Sequence, residues 1–322
     1  MKKTSGLFWF LSLLLAAVTL GSCRKNVTEE TPVTTYTVAS DDQVDAKELV
    51  SDFEKQPWDQ QWNEVACRNI SQQFLIGNRS QIPVRQGNYA GRFIVRPGDR
   101  EANGSSGERC EVAHYYDIQH GYTQEKPGDE FYYGWSTYIP NGWQTPTGWC
   151  TIAQWHTRAA TFSPIAIFIG TDNSIGLNIY SGLVTMPATW YANYSYRATF
   201  PLVKNFAKNA WHDFVVHIKF TPNNAGLVQV WHKMQWEKNW VMVMSKANIP
   251  TMQLYKPADW PALDTDNHPR VPDNRIPWGS YITTQEWIRL GLYRNPSSFT
   301  NVIYHDNWAR ARWWSAIANN FQ

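Results

Sequence analysis

Phe131-Tyr132-Tyr133-Gly134-Trp135-Ser136-Thr137-Tyr138-Ile139, closed by Pro140-Asn141-Gly142, decides the fold. On an extended chain, side chains two apart share a face. Phe131, Tyr133, Trp135, Thr137 and Ile139 therefore line one side of a strand, and the Pro-Asn-Gly turn ends it. The pattern returns over 211–220, where Phe214, Val216, Ile218 and Phe220 alternate with Asp213, His217 and Lys219. Residues 175–180, 227–233, 240–244 and 302–309 are further strands, punctuated by turns at 222–226 and 295–297. A short helix is expected only over 43–53, and no internal repeat is present. The composition is that of an all-β chain, a two-sheet antiparallel sandwich of jelly-roll, concanavalin-like type.

The N-terminus is of another kind. Lys2 and Lys3 precede a nearly all-apolar run from Leu7 to Leu20, followed by Gly21-Ser22-Cys23. The run is shorter than the roughly 20 residues that a spanning helix needs. It is read as a secretory signal, residues 1–22, with Cys23 as the lipidated first residue of the mature chain. Residues 23–45, rich in Thr, Val and acids, form a flexible tether, and 46–322 form one body. The expectation is an exported bacterial lipoprotein of the outer membrane, facing the periplasm or the cell exterior, held to the membrane only by the lipid on Cys23.

The whole chain has 29 Lys and Arg against 27 Asp and Glu; loss of Lys2 and Lys3 with the signal leaves the two in balance. A neutral body argues against nucleic acid as a partner. Cys67, Cys110 and Cys150 remain, enough for one disulfide and one thiol in an oxidising compartment. Alternation puts Cys150 on the face of Gln154 and His156, which weakens a Cys110–Cys150 pairing without excluding it, so the pairing among the three stays open. Among 18 Trp residues, Trp155 alternates into the core, whereas Trp143, Trp149, Trp190, Trp260 and Trp278 lie in loop-like contexts that suit stacking on sugars. Residues 255–280, rich in Pro, Asp and Trp, read as a long ordered loop near a site.

Three segments carry chemistry: Arg109-Cys110-Glu111, Gln154-Trp155-His156, and Arg289-Leu290-Gly291-Leu292-Tyr293-Arg294. Each reads as a strand, so Arg109 shares a face with Glu111, Gln154 with His156, and Arg289 with Tyr293. Converging faces would give one groove holding arginine, glutamine, histidine and tyrosine. That set suits removal of the proton beside a sugar carboxylate, followed by expulsion of an oxygen. Gln154 and the arginines can hold the carboxylate and stabilise the enolate-like charge. His156 and Tyr293 can each exchange a proton. Glu111 would orient an arginine; Arg289, Arg294, Arg158, Trp143 and Trp278 are the further candidate substrate contacts. Taken alone, any one of these residues is better explained by packing or a salt bridge; the conjunction makes the case.

The three segments resemble those of β-jelly-roll polysaccharide lyases, including glucuronan lyase and heparin lyase I, and more distantly the alginate lyases. In those families an Arg-x-Glu strand, a Gln-x-His strand and a late Gly-x-Tyr strand line the concave groove. The resemblance runs from about Phe93 to Ala309. It implies a uronate-containing polysaccharide as substrate, β-elimination between C5 and O4, and no cofactor for the chemistry. His156, Tyr293, Gln154 and Arg109 would be the catalytic set, with either His156 or Tyr293 as base. The chain departs from the pattern at Trp287, where alginate lyases carry tyrosine, and at Arg289, where many relatives carry lysine. Members of the fold often hold a structural calcium ion away from the groove, for which Asp306 and Glu54 are the candidates. A monomer is expected. The competing reading is a non-catalytic carbohydrate-binding surface lipoprotein, which would have no need of Gln154, His156 and Tyr293 together. A jelly-roll hydrolase would need closely spaced carboxylates on one strand face, and Glu108 and Glu111 alternate to opposite faces.

Overall fold

The computed structural model describes residues 48–100, 107–114, 124–185, 192–260 and 275–321. The signal, Cys23, the tether and Trp190 lie outside the described residues. In chain order the strands are β1 (Leu49–Ser51), β2 (Glu64–Cys67), β3 (Phe74–Asn78), β4 (Tyr89–Val95), β5 (Glu108–Ala113) and β6 (Glu130–Ile139). There follow β7 (Cys150–Thr157), β8 (Ile165–Ile169), β9 (Ile175–Thr185), β10 (Asn193–Val203), β11 (Ala210–Lys219) and β12 (Gly226–Met234). The last are β13 (Val241–Ile249), β14 (Gln253–Leu254), β15 (Arg275–Trp278), β16 (Tyr281–Thr284), β17 (Glu286–Arg294) and β18 (Asn301–Ala311).

They form an antiparallel sandwich. One sheet runs β13-β12-β11-β6-β18-β4-β3, with β1 also paired to β18; the other runs β10-β9-β8-β7-β17-β5-β2, with β14 beside β9. The two alternating stretches that set the expectation are neighbours: Trp135 lies opposite Phe214, Tyr133 opposite Val216 and Phe131 opposite Ile218. Their buried faces meet Trp155, Ile167, Leu177, Leu290 and Leu292 of the second sheet in one continuous core. Trp155 packs edge-on to Tyr133, with ring centroids 5.0 Å apart, so this tryptophan is core, as its parity requires. Each such side chain contributes about 1.5–3 kcal/mol by burial, which is why a period-two pattern suffices to place these strands.

A short C-terminal helix, Trp314–Ala318, covers part of the first sheet's outer face through Ile317. Gly134 permits this approach, since a Cβ there would meet Ile317 Cγ2 at 2.4 Å.

Several expectations are corrected. In place of a helix ending at residue 53, Leu49–Ser51 is a strand, because pairing with Trp308–Arg310 outweighs a weak local preference. The long loop after Tyr255 contains an ordered hairpin, β15–β16, and Tyr255 pairs with Ile282; residues 261–274 lie outside the described residues. Trp143 and Trp260, expected to contact sugar, are each 3% exposed: Trp143 sits in the main core and Trp260 packs on Tyr255.

The cysteine parity also changes. Between Thr151 and Ala153 the β7–β8 register shifts, so Ile152 and Ala153 both face the core. This bulge reverses the phase of everything before it. Cys150 is therefore buried in the core, not on the Gln154 face, and burial pushes its thiol up to about 12. Cys67 and Cys110, directly opposite on β2 and β5, form the disulfide.

Candidate active site

The outer face of the second sheet brings the three segments together, because β5, β17 and β7 are adjacent. Arg289 lies opposite Gln154, Gly291 opposite Glu111, Tyr293 opposite Arg109, and Trp287 opposite His156. Along β17 the order is thus His156, then Gln154 with Arg289, then Glu111, then Arg109 with Tyr293. Gly291 is demanded by the backbone here. Its φ is +150°, at a register shift in the β17–β7 pairing, and a Cβ would meet the Cys110 carbonyl oxygen at 2.3 Å.

Glu111 is the hub. It is fully buried, and its Oε1 accepts a hydrogen bond from Gln154 Nε2 at 2.6 Å. Its Oε2 lies 3.8 Å from Arg109 Nη1 and 3.9 Å from Arg289 Nη1. Arg289 also reaches Glu64 of β2 at 3.8 Å. Ser163, on the loop after β7, donates to Gln154 Oε1 at 2.5 Å. The Gln154 amide is thereby fixed in orientation, with Glu111 taking one of the two N–H groups on Nε2. Glu111, also a candidate substrate contact, lies fully buried between both arginines and the amide.

His156 and Tyr293 flank this hub from opposite ends. His156 is half-buried and packs against Trp287, with ring centroids 5.3 Å apart. Burial first, then the charges of Arg289 and Arg109, hold its imidazole well below the ordinary histidine range, so it is neutral at pH 7. Tyr293 carries the Arg109 guanidinium 3.9 Å over its ring and the edge of Trp149 at 4.4 Å. Five residues of β7, or six of β17, separate His156 from Tyr293, roughly 17–20 Å of strand at ~3.3 Å per residue.

Other candidates fall elsewhere. Arg294 is fully buried and binds Glu108 Oε2 at 2.9 Å and the Phe299 carbonyl at 2.6 Å, so it is not a substrate contact. The alternation that sends Tyr293 outward sends Arg294 inward beside Leu290 and Leu292. Arg158 is half-buried just past the end of β7, and Trp278 is half-buried in the β15–β16 hairpin. Trp149 is 40% exposed and packs edge-on against Tyr293. Ser163 and Glu64 were not anticipated. Nothing local marks Ser163, whereas Glu64 is a carboxylate on a strand whose partner could have been inferred only from the topology.

On the first sheet, Asp306 accepts backbone N–H bonds from Arg85 and Gln86 at 2.8 and 3.1 Å, and Glu54 accepts from Asn88 and Tyr89. Beside them a cavity of about 130 Å³ is lined by Asp52, Glu54, Gln86 and Asn307. Among the described residues no group of three or more His, Cys, Asp or Glu could hold a metal ion.

A family model described as polysaccharide lyase matches residues 55–309. None of the curated proteins compared matches the sequence. Among solved structures, the endo-β-1,4-glucuronan lyase of the fungus Trichoderma reesei superposes with a TM-score of 0.56 at 18% identity, covering 84% of this chain and 98% of that one. The marine alginate lyase of Aplysia kurodai gives a TM-score of 0.47 at 8% identity, over 82% and 97% of the two chains. The first likeness shows a shared fold.

Proposed function

Because this chain belongs to the polysaccharide lyase family, we propose that it cleaves a uronic-acid-containing polysaccharide, glucuronan or a related uronan, by β-elimination. The observation that carries the reading is the Gln154 amide, locked between Glu111 and Ser163, with Arg289 and Arg109 beside it and His156 and Tyr293 at either end. The uronate carboxylate binds at Gln154 Nε2 and the two guanidinium groups, which stabilise charge developing on it as C5 loses its proton. A neutral His156 and the Tyr293 hydroxyl divide the proton work. Either the neutral His156 takes the C5 proton and the Tyr293 hydroxyl donates its own to the glycosidic oxygen, or Tyr293 acts as its phenolate, takes the C5 proton and passes it to the glycosidic oxygen; the configuration at C5 decides which. The C5–H bond breaks, a C4=C5 double bond forms, the C4–O4 bond breaks, and the oxygen leaves with the neighbouring sugar as its hydroxyl.

The test is ultraviolet absorbance of the unsaturated product from protein lacking residues 1–45, offered glucuronan, alginate, heparin, heparan sulfate, chondroitin and hyaluronan. Absorbance rising on one polymer and absent with His156→Ala is the expected result. Binding to a polymer without any rise would replace the lyase by a carbohydrate-binding protein.

The export reading belongs to the same proposal. The Cys67–Cys110 disulfide is of the kind that persists in oxidising compartments, which supports a lipoprotein anchored through Cys23. A structural calcium ion at Glu54 and Asp306 is a further part of it. With two carboxylates, the shell would be completed by amide and carbonyl oxygens of the kind that Gln86 and Asn307 present at the cavity, as calcium accepts. Calcium at about 100 times its dissociation constant should then add about 2.7 kcal/mol of stability. Melting curves with calcium and with chelator, for wild type and Asp306→Asn, check this; superimposable wild-type curves would remove the ion from the account.

A further inference from the structure

The groove face continues beyond the catalytic strands. From Gln154 the row runs through Ala166 and Asn178 to Thr199 on β10, each directly opposite the last. Two residues along, Tyr180 lies opposite Arg197 on the same face. Phe162, from the loop between β7 and β8, meets Tyr180 at 5.3 Å and Tyr194 at 6.4 Å between centroids, and Tyr180 meets Tyr194 at 5.4 Å. The Phe162 backbone N–H donates to the Tyr194 hydroxyl at 2.9 Å, which pins the loop to the sheet. Arg197 stands 5.2 Å over the Tyr180 ring.

This arrangement is poor core and good platform. Phe162 remains 51% exposed although two tyrosine rings are available to cover it. Clustered aromatic surface left open on a polar sheet face marks a place where something apolar on one side is received. A pyranose ring has such a side, its axial C–H groups, with hydroxyls around its rim. Asn178 and Thr199, bonded to one another at 2.7 Å, offer polar groups at that rim. Arg197 offers a guanidinium to a carboxylate. With strands ~4.8 Å apart, β10 lies about 14 Å from β7, the span of a short oligosaccharide.

We propose that Phe162, Tyr180, Tyr194 and Arg197 form a distal subsite that binds a uronic acid residue of the same polysaccharide, away from the bond that is broken. The inference rests on the lyase reading for the identity of the ligand, but the site is tested by binding alone. Phe162 precedes Ser163, which holds Gln154, so Arg197→Ala, on a different strand, serves as the second variant.

Calorimetry compares hexasaccharides and disaccharides of each of the six uronans with the wild-type protein, Phe162→Ala, Phe162→Trp and Arg197→Ala, all checked for an unchanged melting midpoint. Expected is about tenfold weaker hexasaccharide binding on loss of one stacked ring or one guanidinium contact. Disaccharide binding should change much less, and Phe162→Trp should restore affinity. Arg197→Ala should also abolish the preference for a carboxylate over a carboxyl-reduced hexasaccharide. Unchanged hexasaccharide affinity in both alanine variants, or no affinity of the wild-type protein for any of the six, overturns the subsite. If the wild type produces no unsaturated product yet Phe162→Ala weakens binding, the lyase reading fails and the subsite stands.

Discussion

Tyr293→Phe and His156→Ala should each lower kcat on the uronan by about 10²–10⁴-fold, the range for losing a positioned acid or base. The phenylalanine keeps the ring beneath Arg109 and against Trp149, so its melting midpoint should stay near that of the wild type. The loss in the double variant should be far less than the product of the two, because the groups act on one transition state. The pH dependence separates histidine chemistry from a structural role. In the free protein, burial and the two arginines hold His156 below its usual 6.5. The acid limb of kcat/KM, which reports the free enzyme, should therefore lie below 6.5. A bound carboxylate offsets the arginine charges, so the limb of kcat should lie at higher pH. The stability sign follows from the same shift. Below about 6.5 the unfolded chain takes up a proton that the folded His156 refuses, so stability is lost as the pH is lowered there, and His156→Ala should flatten part of that slope. Coincident acid limbs in kcat and kcat/KM would sink the assignment of His156.

How much of this was legible depends on whether period two held. It held over 131–139 and 211–220, so their pairing and core faces could be read directly. It held for Gln154 with His156 and, along the β17–β5 pairing, for Arg289 with Tyr293, so alternation places each pair on one face while the strand order brings the pairs together. It failed at Cys150, because the bulge at Ile152 shifts phase and leaves no mark in composition. Arg294 was open to the correct reading, since parity sends it inward, but charge suggested the groove. Trp143 and Trp260 show that turn-like neighbours do not report exposure. Ser163 and the Phe162 platform depend on a loop folding back over the sheet, a contact that alternation along a strand cannot encode. The fold was readable because burial repeats along each strand. The Arg109–Glu111 pair was readable from their shared face, but the contacts of Glu111 with Arg289 and Gln154 were not, because they depend on which strands become neighbours.

That hub yields the other large effect. Glu111→Ala should destabilise the protein by about 3–5 kcal/mol, the cost of stranding buried partners of an ion pair. For a domain of this size that is on the order of 10 °C in melting midpoint. The residue is fully buried, and both Arg109 and Arg289 approach its carboxylate. Without it, two guanidinium groups on neighbouring strands repel each other and Gln154 Nε2 loses its acceptor. Displacement of the amide by about an ångström would alone cost about 10²-fold in rate, so kcat should fall with stability. Glu111→Gln distinguishes geometry from charge. It keeps an acceptor for Gln154 and nearly the same volume, and so should recover part of the midpoint. The rate should stay low, because neither arginine is then held by a charge. Were Glu111 only a packing residue, Glu111→Gln would restore both midpoint and rate, and Arg109 and Arg289 would have to be placed by something other than the carboxylate between them.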